Sequence, residues 1–252
     1  MILFPTKKAT RHNRFVSQTY DDGSDVYPER YGTASHAAVD IASGHGDPMM
    51  ACERLFAYKT FGGQDRDIPT GLTKGWGINL LSEPNIDGVR REWIYWHTMS
   101  NLQIKEGQWA EMGQIIAFEG ASGDVYSNGV KVPDDQKGIF PYPGTHLHWG
   151  YREVRPVDQG EYCIGNGNGG AYRDQNGKAY EVIDYNNGNK GFKDPMKLNV
   201  LFYDEWVVEK AKDVVEETIE IIPTLPEEKK IATQNILITL LKMLVNFLKG
   251  RQ

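Results

Sequence analysis

The chain has 252 residues, of which 40% are hydrophobic and 25% are charged, with 27 glycines and a formal net charge of −6. This composition is typical of a folded, turn-rich globular protein with room for one domain and an appendage, or for two small domains. The negative charge excludes the basic footprint of a nucleic-acid-binding protein. Cys52 and Cys163 lie far apart with no CxxC spacing, so neither a zinc ribbon nor a disulfide framework is indicated.

The N-terminal segment carries no targeting signal. Its first fifteen residues contain no apolar h-region, and no stretch of the chain reaches the ~18 uninterrupted apolar residues of a membrane-spanning helix. We therefore expect no secretory signal and no membrane span. Residues 5–35 alternate turn-forming residues with short apolar pieces, which predicts loops that lead into a first strand.

The first segment with chemistry-bearing residues is SHAAVDIA. His36 and Asp40 are separated by three residues, and in an extended or turned segment both can face one centre. Imidazole nitrogen and carboxylate oxygen are ligands that a cation such as zinc accepts. The alternative is an ordinary strand start with an exposed histidine and aspartate, which this spacing alone favours.

Short strands separated by glycine-rich turns are predicted next. Strand candidates lie within Asp47–Tyr58, Trp76–Leu81 and the hairpin-like Ile104–Gly123, where Ile115–Phe118 reads as a buried strand. The segment WIYWH either is a core strand with a polar end or delivers His97 into a cleft. Because no helical periodicity appears before residue 204, the pattern predicts an antiparallel β domain.

A pair of histidines, His146 and His148, lies in GTHLHWGY among strand-forming neighbours. Residues i and i+2 of a strand point to the same face, so both imidazoles can enter one site. A metal ligand beside a catalytic imidazole could use this arrangement. An HxH pair alone is a weak signal, because it also occurs on solvent-exposed strands.

Four motifs in this order resemble those of the lysostaphin-type (LytM-like) zinc endopeptidases, which cut peptidoglycan peptides. The motifs are His36-x-x-x-Asp40, Tyr95-x-His97, EGQ…GQIIAFEGASG and GTHLHWG. The lead-in SQTYDDGSDVYPERYGTASHAAVDIA and the closing NNGNKGFKDPMKL extend the resemblance over about residues 15–198, some three quarters of the chain. The resemblance implies a mainly β fold, with an antiparallel β-sheet catalytic domain of the lysostaphin type in residues 1–203.

The resemblance also implies a site. His36, Asp40 and His148 stand where the family has the three ligands of one catalytic zinc ion, and three protein ligands leave a fourth position for water. His97 and His146 stand where the family has its two catalytic histidines that do not bind the metal.

The implied chemistry is metal-assisted hydrolysis. Zinc lowers the pKa of a bound water to roughly 7 and polarises a carbonyl as a Lewis acid. The sequence has no HExxH glutamate, so an imidazole near its pKa is the natural proton carrier. We expect His97 and His146 jointly to orient the water, move its proton and stabilise the oxyanion, and their individual roles stay open.

Several residues fall outside the motif pattern. Ala38 stands where many family members have glycine, which asks for more room without removing a ligand. Cys52 is expected to be a buried thiol rather than a nucleophile, because no basic residue is adjacent. His45, in a glycine-rich loop, is expected to be exposed to solvent. Tyr95 is expected either to form a wall of the groove or to pack in the core. The core rather than a peptide cleft is expected for most of the aromatic residues Trp76, Trp93, Trp149 and Tyr151.

The segment 154–192 is longer than the family's link between the HxH strand and the Asp-Pro close. Its glycine-rich run, Gly160–Gly177, predicts an ordered surface loop near the mouth of the cleft that shapes substrate choice.

After Pro195 the pattern becomes helical. Asp204–Ile222 predicts an amphipathic helix, and Glu227–Lys249 predicts a second helix with an apolar face of roughly 220°. We therefore expect a two-helix appendage in residues 204–252. Self-association, or packing of the helices on each other or on the catalytic domain, is the first expectation for this face. Contact with a membrane surface or with a virion is the alternative.

Together these features predict a zinc metalloendopeptidase that hydrolyses stem or cross-bridge peptides of peptidoglycan at the bacterial cell wall, outside the cell or in the periplasm. Because no signal peptide is seen, we expect a phage lysin or a tail-associated muralytic protein. The alternative is a catalytically silent cell-wall-binding or virion structural protein that keeps the peptidase fold. All five site positions are filled, which favours the enzyme.

Overall fold

A computed structural model of the chain describes residues 1–23, 32–62, 66–67, 72–73, 75–165 and 170–249. The chain divides into two compact units, Met1–Val200 and Leu201–Gln252. The predicted boundary, after residue 203, lies three residues further along, and the assignment of a task to each unit stays a prediction. In the described part, no helix is long and apolar enough to cross a membrane.

The first unit is built of short β-strands. In chain order they are β1 (Ile2–Leu3), β2 (Val16–Gln18), β3 (Val39–Ile41), β4 (Pro48–Met50), β5 (Leu55–Phe61), β6 (Arg66–Asp67), β7 (Leu72–Thr73), β8 (Trp76–Ser82), β9 (Arg90–Thr98), β10 (Trp109–Ala110), β11 (Ile115–Phe118), β12 (Tyr126–Ser127), β13 (Val130–Lys131), β14 (Leu147–Val157), β15 (Ala179–Val182), β16 (Phe192–Lys193) and β17 (Val200–Leu201). All strand pairs of the main sheet are antiparallel, as are β4–β11, β6–β7 and β12–β13, so the predicted fold class is confirmed. The predicted strand Ile115–Phe118 is found unchanged, whereas the segment 47–58 forms two strands, β4 and β5, instead of one.

Strand β14 is the centre of the main sheet, whose strand order is β10-β5-β8-β9-β14-β3-β2. One edge of β14 pairs with β9 along most of its length. Its other edge pairs first with β3, then with β16 and finally with β15. A single long strand thus joins the HxH motif at its start to the later parts of the unit.

One face of the sheet packs against the core, and the other carries the HxH residue His148. Side chains alternate along a strand, so Trp149 points to one face of β14 while His148 and Arg152 point to the other. On the first face Trp149 stacks on Trp93, with ring centroids 5.1 Å apart and both residues 0% exposed. An indole buries about 150–250 Å², worth about 4–6 kcal/mol of transfer free energy, so this face is the core. The expected core position is confirmed for Trp93, Trp149 and Tyr151, and Trp76 is half-buried. Of the two alternatives for Tyr95, the core is the one found, with the residue 0% exposed.

The first part of the segment that follows β14, up to strand β15, lies at the end of β14 remote from the HxH motif. The later part returns to the segment that carries His36, where Asn189 Oδ1 accepts a hydrogen bond from the Ser35 N–H at 3.1 Å. Strand β15 pairs with β14 from Val154 to Val157. Six residues of strand, roughly 20 Å at ~3.3 Å per residue, separate Val154 from His148. The described residues of the glycine-rich run pack at this remote end and do not lie near the mouth of the cleft as predicted, whereas a role of the run in substrate choice stays a prediction. Instead, this segment adds a hydrophobic cluster with the sheet, formed by Tyr58, Leu81, Val154, Ile164, Tyr180 and Val182. Residues 166–169 lie outside the described part.

The second unit contains two helices, α1 (Tyr203–Ile221) and α2 (Glu227–Lys249), joined by a short 3-10 turn, Ile222–Thr224. The predicted helices are confirmed, the second with the same bounds. Glu205 caps the first helix by accepting a hydrogen bond from the Phe202 N–H at 3.0 Å. Several apolar side chains are exposed, among them Val214, Ile219, Ile231 and Ile236. What covers this face stays a prediction.

Candidate metal centre

Sheet register brings the first two potential ligands together. Asp40 on β3 is directly opposite His148 at the start of β14. The Asp40 Oδ1 and His148 Nδ1 atoms are 2.9 Å apart. His36 precedes β3, and its Nε2 lies 3.2 Å from Asp40 Oδ1 and 3.2 Å from His148 Nδ1. Three donor atoms from two parts of the chain, the segment 36–40 and the start of β14, thus form one small triangle.

The triangle has the size that zinc requires. Bonds of ~2.0–2.1 Å in a tetrahedron place neighbouring donor atoms about 3.3 Å apart, and the observed separations are 2.9–3.2 Å. Two imidazoles and one carboxylate are also a donor set that zinc accepts. His36 is 3% exposed and Asp40 is 8% exposed, so the donors lie at the bottom of the site. The residues present therefore fit a zinc ion held by three protein ligands.

Three imidazoles are oriented by the main chain. His36 Nδ1 donates to the carbonyl oxygen of Thr19 at 3.1 Å. His97 Nδ1 donates to Ser122 O at 2.7 Å, and His146 Nδ1 donates to Gly144 O at 2.8 Å. Because a carbonyl can only accept, each of these rings carries its proton on Nδ1 and presents Nε2 to the site.

The two predicted catalytic histidines lie beside this triangle. His97 comes near the end of β9 with a φ of +62°, a left-handed conformation that costs a non-glycine residue about 1–2 kcal/mol. Such strain is typical of functional positions. Its ring centroid is 4.7 Å from that of His146, and His146 Nε2 is 3.5 Å from Asp40 Oδ2. The structure therefore brings all five predicted site residues together.

The charge states follow from burial and from Asp40. Burial favours the neutral acid, but the charge of His146 and the hydrogen bonds from His148 and His36 outweigh it and hold the pKa of Asp40 well below its ordinary value. For His36, the hydrogen bond and charge of Asp40 outweigh burial and raise the pKa. Burial, with His146 and His148 nearby, holds the pKa of His97 well below its ordinary value. His97 is therefore a neutral imidazole near neutral pH.

A buried carboxylate supports the loop that follows the aspartate ligand. Glu119 is 0% exposed, and it accepts hydrogen bonds from the N–H groups of Ser43 and Gly44 at 3.0 and 3.1 Å. The Ser43 hydroxyl donates to the same carboxylate at 2.7 Å. The sequence did not predict this role of Glu119. A single glutamate after a strand gives no sign that its carboxylate binds the loop 43–44, some 75 residues earlier in the chain.

His45, on that loop, does not lie where the sequence predicted. It is half-buried rather than exposed, and its ring stacks on Tyr142 with centroids 4.5 Å apart and 5° between the ring planes. Thr145 Oγ1 lies 3.4 Å from His45 Nδ1. His45 therefore connects the loop after Asp40 to the segment that leads into His146. The prediction failed because the stacking partner is far away in sequence.

Three solved structures that resemble this chain in fold are of peptidases. The catalytic domain of the antimicrobial peptidase lysostaphin from Staphylococcus simulans is 22% identical, with a TM-score of 0.37, over 56% of this chain and 82% of that one. Lysostaphin as a longer chain is 19% identical, with a TM-score of 0.40, over 73% of this chain and 49% of that one, so about half of its length is matched. A zinc containing peptidase from Vibrio cholerae is 15% identical, with a TM-score of 0.36, over 62% of this chain and 38% of that one.

No model of a known protein family matches the chain, and no curated protein sequence is significantly similar to it. The chain resembles the lysostaphin-type peptidases in its motifs and its fold. The likeness is distant and by itself assigns no activity, so the activity depends on what the residues of this chain can do.

Proposed function

We propose that the protein is a zinc-dependent endopeptidase that hydrolyses peptide bonds in the stem or cross-bridge peptides of peptidoglycan. The observation that carries this proposal is the triangle of donor atoms from His36, Asp40 and His148, with two more imidazoles beside it. Zinc bound there would act as a Lewis acid on the scissile carbonyl and lower the pKa of a bound water to roughly 7.

The two remaining histidines are suited to proton handling. His97 is neutral and its Nδ1–H is held by Ser122 O, so its Nε2 lone pair can accept a proton from the attacking water. His146 is held in the same way by Gly144 O and presents Nε2 beside Asp40. We assign to this pair the orientation of the water, the transfer of its proton and donation to the developing oxyanion. No glutamate base is needed for this division of labour.

The substrate class is proposed from the order of the four sequence motifs, which resemble enzymes that cut peptidoglycan peptides. The corresponding place of action is the bacterial cell wall. Delivery by a phage, as a lysin or a tail-associated protein, stays a prediction, as does any membrane or virion contact of the helical unit.

The test is release of soluble peptide fragments from purified peptidoglycan by zinc-loaded protein, with bound zinc measured in every sample. His148→Ala should lose both zinc and activity, because it removes a ligand. His146→Ala should lose activity and keep zinc. His12→Ala is the matched control, since this exposed histidine lies outside the site and should change neither.

Two results would contradict the proposal. A parent protein that binds no zinc would overturn the metal site. A parent that binds zinc but releases nothing from walls of several cross-bridge types would overturn the peptidase assignment, and the catalytically silent wall-binding protein would replace it.

A further inference from the structure

The metal ligands are part of a row of side chains that runs across the sheet on one face. His148 is directly opposite Asp40 on one side and Trp96 on the other. Trp96 in turn is opposite Gly77, and Gly77 is opposite Phe61. Because directly paired residues of neighbouring strands point to the same face ~4.8 Å apart, all five positions belong to one line.

Trp96 stands against the ligand histidine. Its ring stacks on the imidazole of His148, with centroids 5.5 Å apart and 14° between the planes. Trp96 Nε1 donates to Asn79 Oδ1 at 2.8 Å, and the ring of Phe61 contacts Trp96 edge-on with centroids 6.1 Å apart. One bond and one ring contact therefore fix the indole that in turn contacts His148.

Gly77 makes room for this arrangement. A Cβ atom at position 77 would lie 2.7 Å from Phe61 Cζ and 2.9 Å from Trp96 Cδ1, distances that real Cβ atoms do not adopt. Any side chain there would push the two rings apart. The glycine is therefore required for Phe61 to support Trp96.

His148 differs from the other three histidines of the site in how it is oriented. Nδ1 of His36, His97 and His146 is held by a main-chain carbonyl, whereas Nδ1 of His148 is itself the donor atom that faces Asp40. No main-chain carbonyl among the described residues accepts a hydrogen bond from His148. The rings of His36 and His97 contact this imidazole edge-on, with centroids 5.0 and 5.8 Å away. The indole of Trp96 is stacked parallel to its flat face and so restricts rotation of the ring out of its plane.

We propose that Trp96, supported by Phe61 and Asn79, is a positioning residue that holds His148 in the orientation required for metal binding. This inference rests on the proposed zinc site. Partners that orient metal-binding histidines typically contribute 10–100-fold to metal affinity. Trp96 contributes through an aromatic face instead of the usual hydrogen bond.

The experiment measures zinc affinity of the full chain by competition with a chromophoric chelator, so that no peptidase activity is required. Trp96→Leu removes the flat aromatic face but keeps an apolar side chain. Gly77→Ala keeps Trp96 and Phe61 but displaces their rings. Each should weaken zinc binding about 10-fold or more. Trp96→Phe keeps an aromatic face and should recover most of the affinity. Trp109→Leu, on the edge strand β10, is the control and should leave affinity unchanged.

A second measurement uses the tryptophan fluorescence of the protein, to which Trp96 is one of six contributors. Zinc binding changes the imidazole that the indole contacts, so the parent should show a zinc-dependent change of tryptophan emission. Trp109→Phe should keep this change and Trp96→Phe should lose it.

The outcomes separate the two proposals. A parent that binds no zinc overturns the proposed function and this inference with it. A parent that binds zinc while Trp96→Leu and Gly77→Ala bind it equally well overturns this inference alone. If Trp96→Leu fails to fold by circular dichroism, Gly77→Ala and the fluorescence of Trp96→Phe decide in its place.

Discussion

A buried ion pair lies on the same face of the sheet as the metal centre, farther along β14. Arg152 is directly opposite Glu92, and its Nε donates to Glu92 Oε2. The Tyr58 hydroxyl donates to the other carboxylate oxygen. Burial and the charge of Glu92 raise the pKa of Tyr58 well above its ordinary value, so this hydroxyl stays protonated. Glu92 is 1% exposed, so removing Arg152 leaves a carboxylate in the interior without its cation.

The perturbation is Arg152→Met, which keeps most of the side-chain volume. Breaking a buried pair from one side costs about 3–5 kcal/mol. For a chain of this size, where 1 kcal/mol shifts the melting temperature by about 2–4 °C, this corresponds to a loss of about 10 °C. Adding Glu92→Gln removes the stranded charge but keeps a partner for Tyr58. The double variant should therefore be more stable than Arg152→Met alone.

The assay is urea unfolding followed by circular dichroism and by fluorescence, with coincident transitions required before a free energy of unfolding is taken. Arg155→Met is the matched control. Its pair with Glu181 has an N–O distance of 3.0 Å, but the arginine side chain is 62% exposed, so its removal should cost less than about 1 kcal/mol. The reasoning is refuted if Arg152→Met costs no more than this control, or if the double variant is the least stable of the set.

Three further predictions concern other parts of the first unit. Burial raises the pKa of Glu119 above 4.5, so the folded state binds this proton more tightly than the unfolded chain. The contribution of Glu119 to the free energy of unfolding is full below pH 4.5 and is lost as the pH rises through the raised pKa. The free energy of unfolding of Glu119→Gln, measured at a series of pH values, should lack this decrease with pH. Cys52 and Cys163 are buried, and burial raises the pKa of the Cys52 thiol, so a thiol reagent at mildly alkaline pH should modify neither residue until urea unfolds the protein. Rapid modification of the folded chain would contradict this. Gly144→Ala puts a side chain at a φ of +70° with its Cβ 2.8 Å from Val132 Cγ2, which should cost about 1–2 kcal/mol from the backbone alone and lower peptidoglycan release while zinc stays bound. Equal activity of this variant would show that the carbonyl of Gly144 does not orient His146.

Local patterns carried most of the fold. Alternating apolar residues predicted β9, β11 and the start of β14, and the three- and four-residue spacing of apolar side chains predicted both helices. These predictions are correct because each periodic pattern depends only on residues that are close in sequence. The resemblance in motif order implied which five side chains converge. Local geometry accounts for only part of this, since a strand places His146 and His148 together and a short turn places His36 near Asp40.

Contacts between distant segments were not predictable in the same way. The position of His45 depends on Tyr142, almost a hundred residues later, and that of the segment after β14 depends on which edge of the strand is still unpaired. The row from Asp40 to Phe61 exists only in one register of four strand pairs. A shift of one residue in any pair would turn its side chains to the opposite face. The register of each strand pair depends on packing across the whole sheet, so it cannot be predicted from the local pattern of a single sequence.

The carbonyls that orient His36, His97 and His146 have a consequence for anyone who wishes to move or redesign this centre. Thr19, Ser122 and Gly144 act through their main-chain oxygens, so the orientation of the three rings is inherited with the path of the backbone. At Ser122 the side chain helps to hold that path, because its hydroxyl accepts a hydrogen bond from the Trp76 N–H and donates one to Thr98 O. Grafting the five visible side chains onto another scaffold would transfer the reactive groups without their alignment, and the graft would need to include three loop conformations as well.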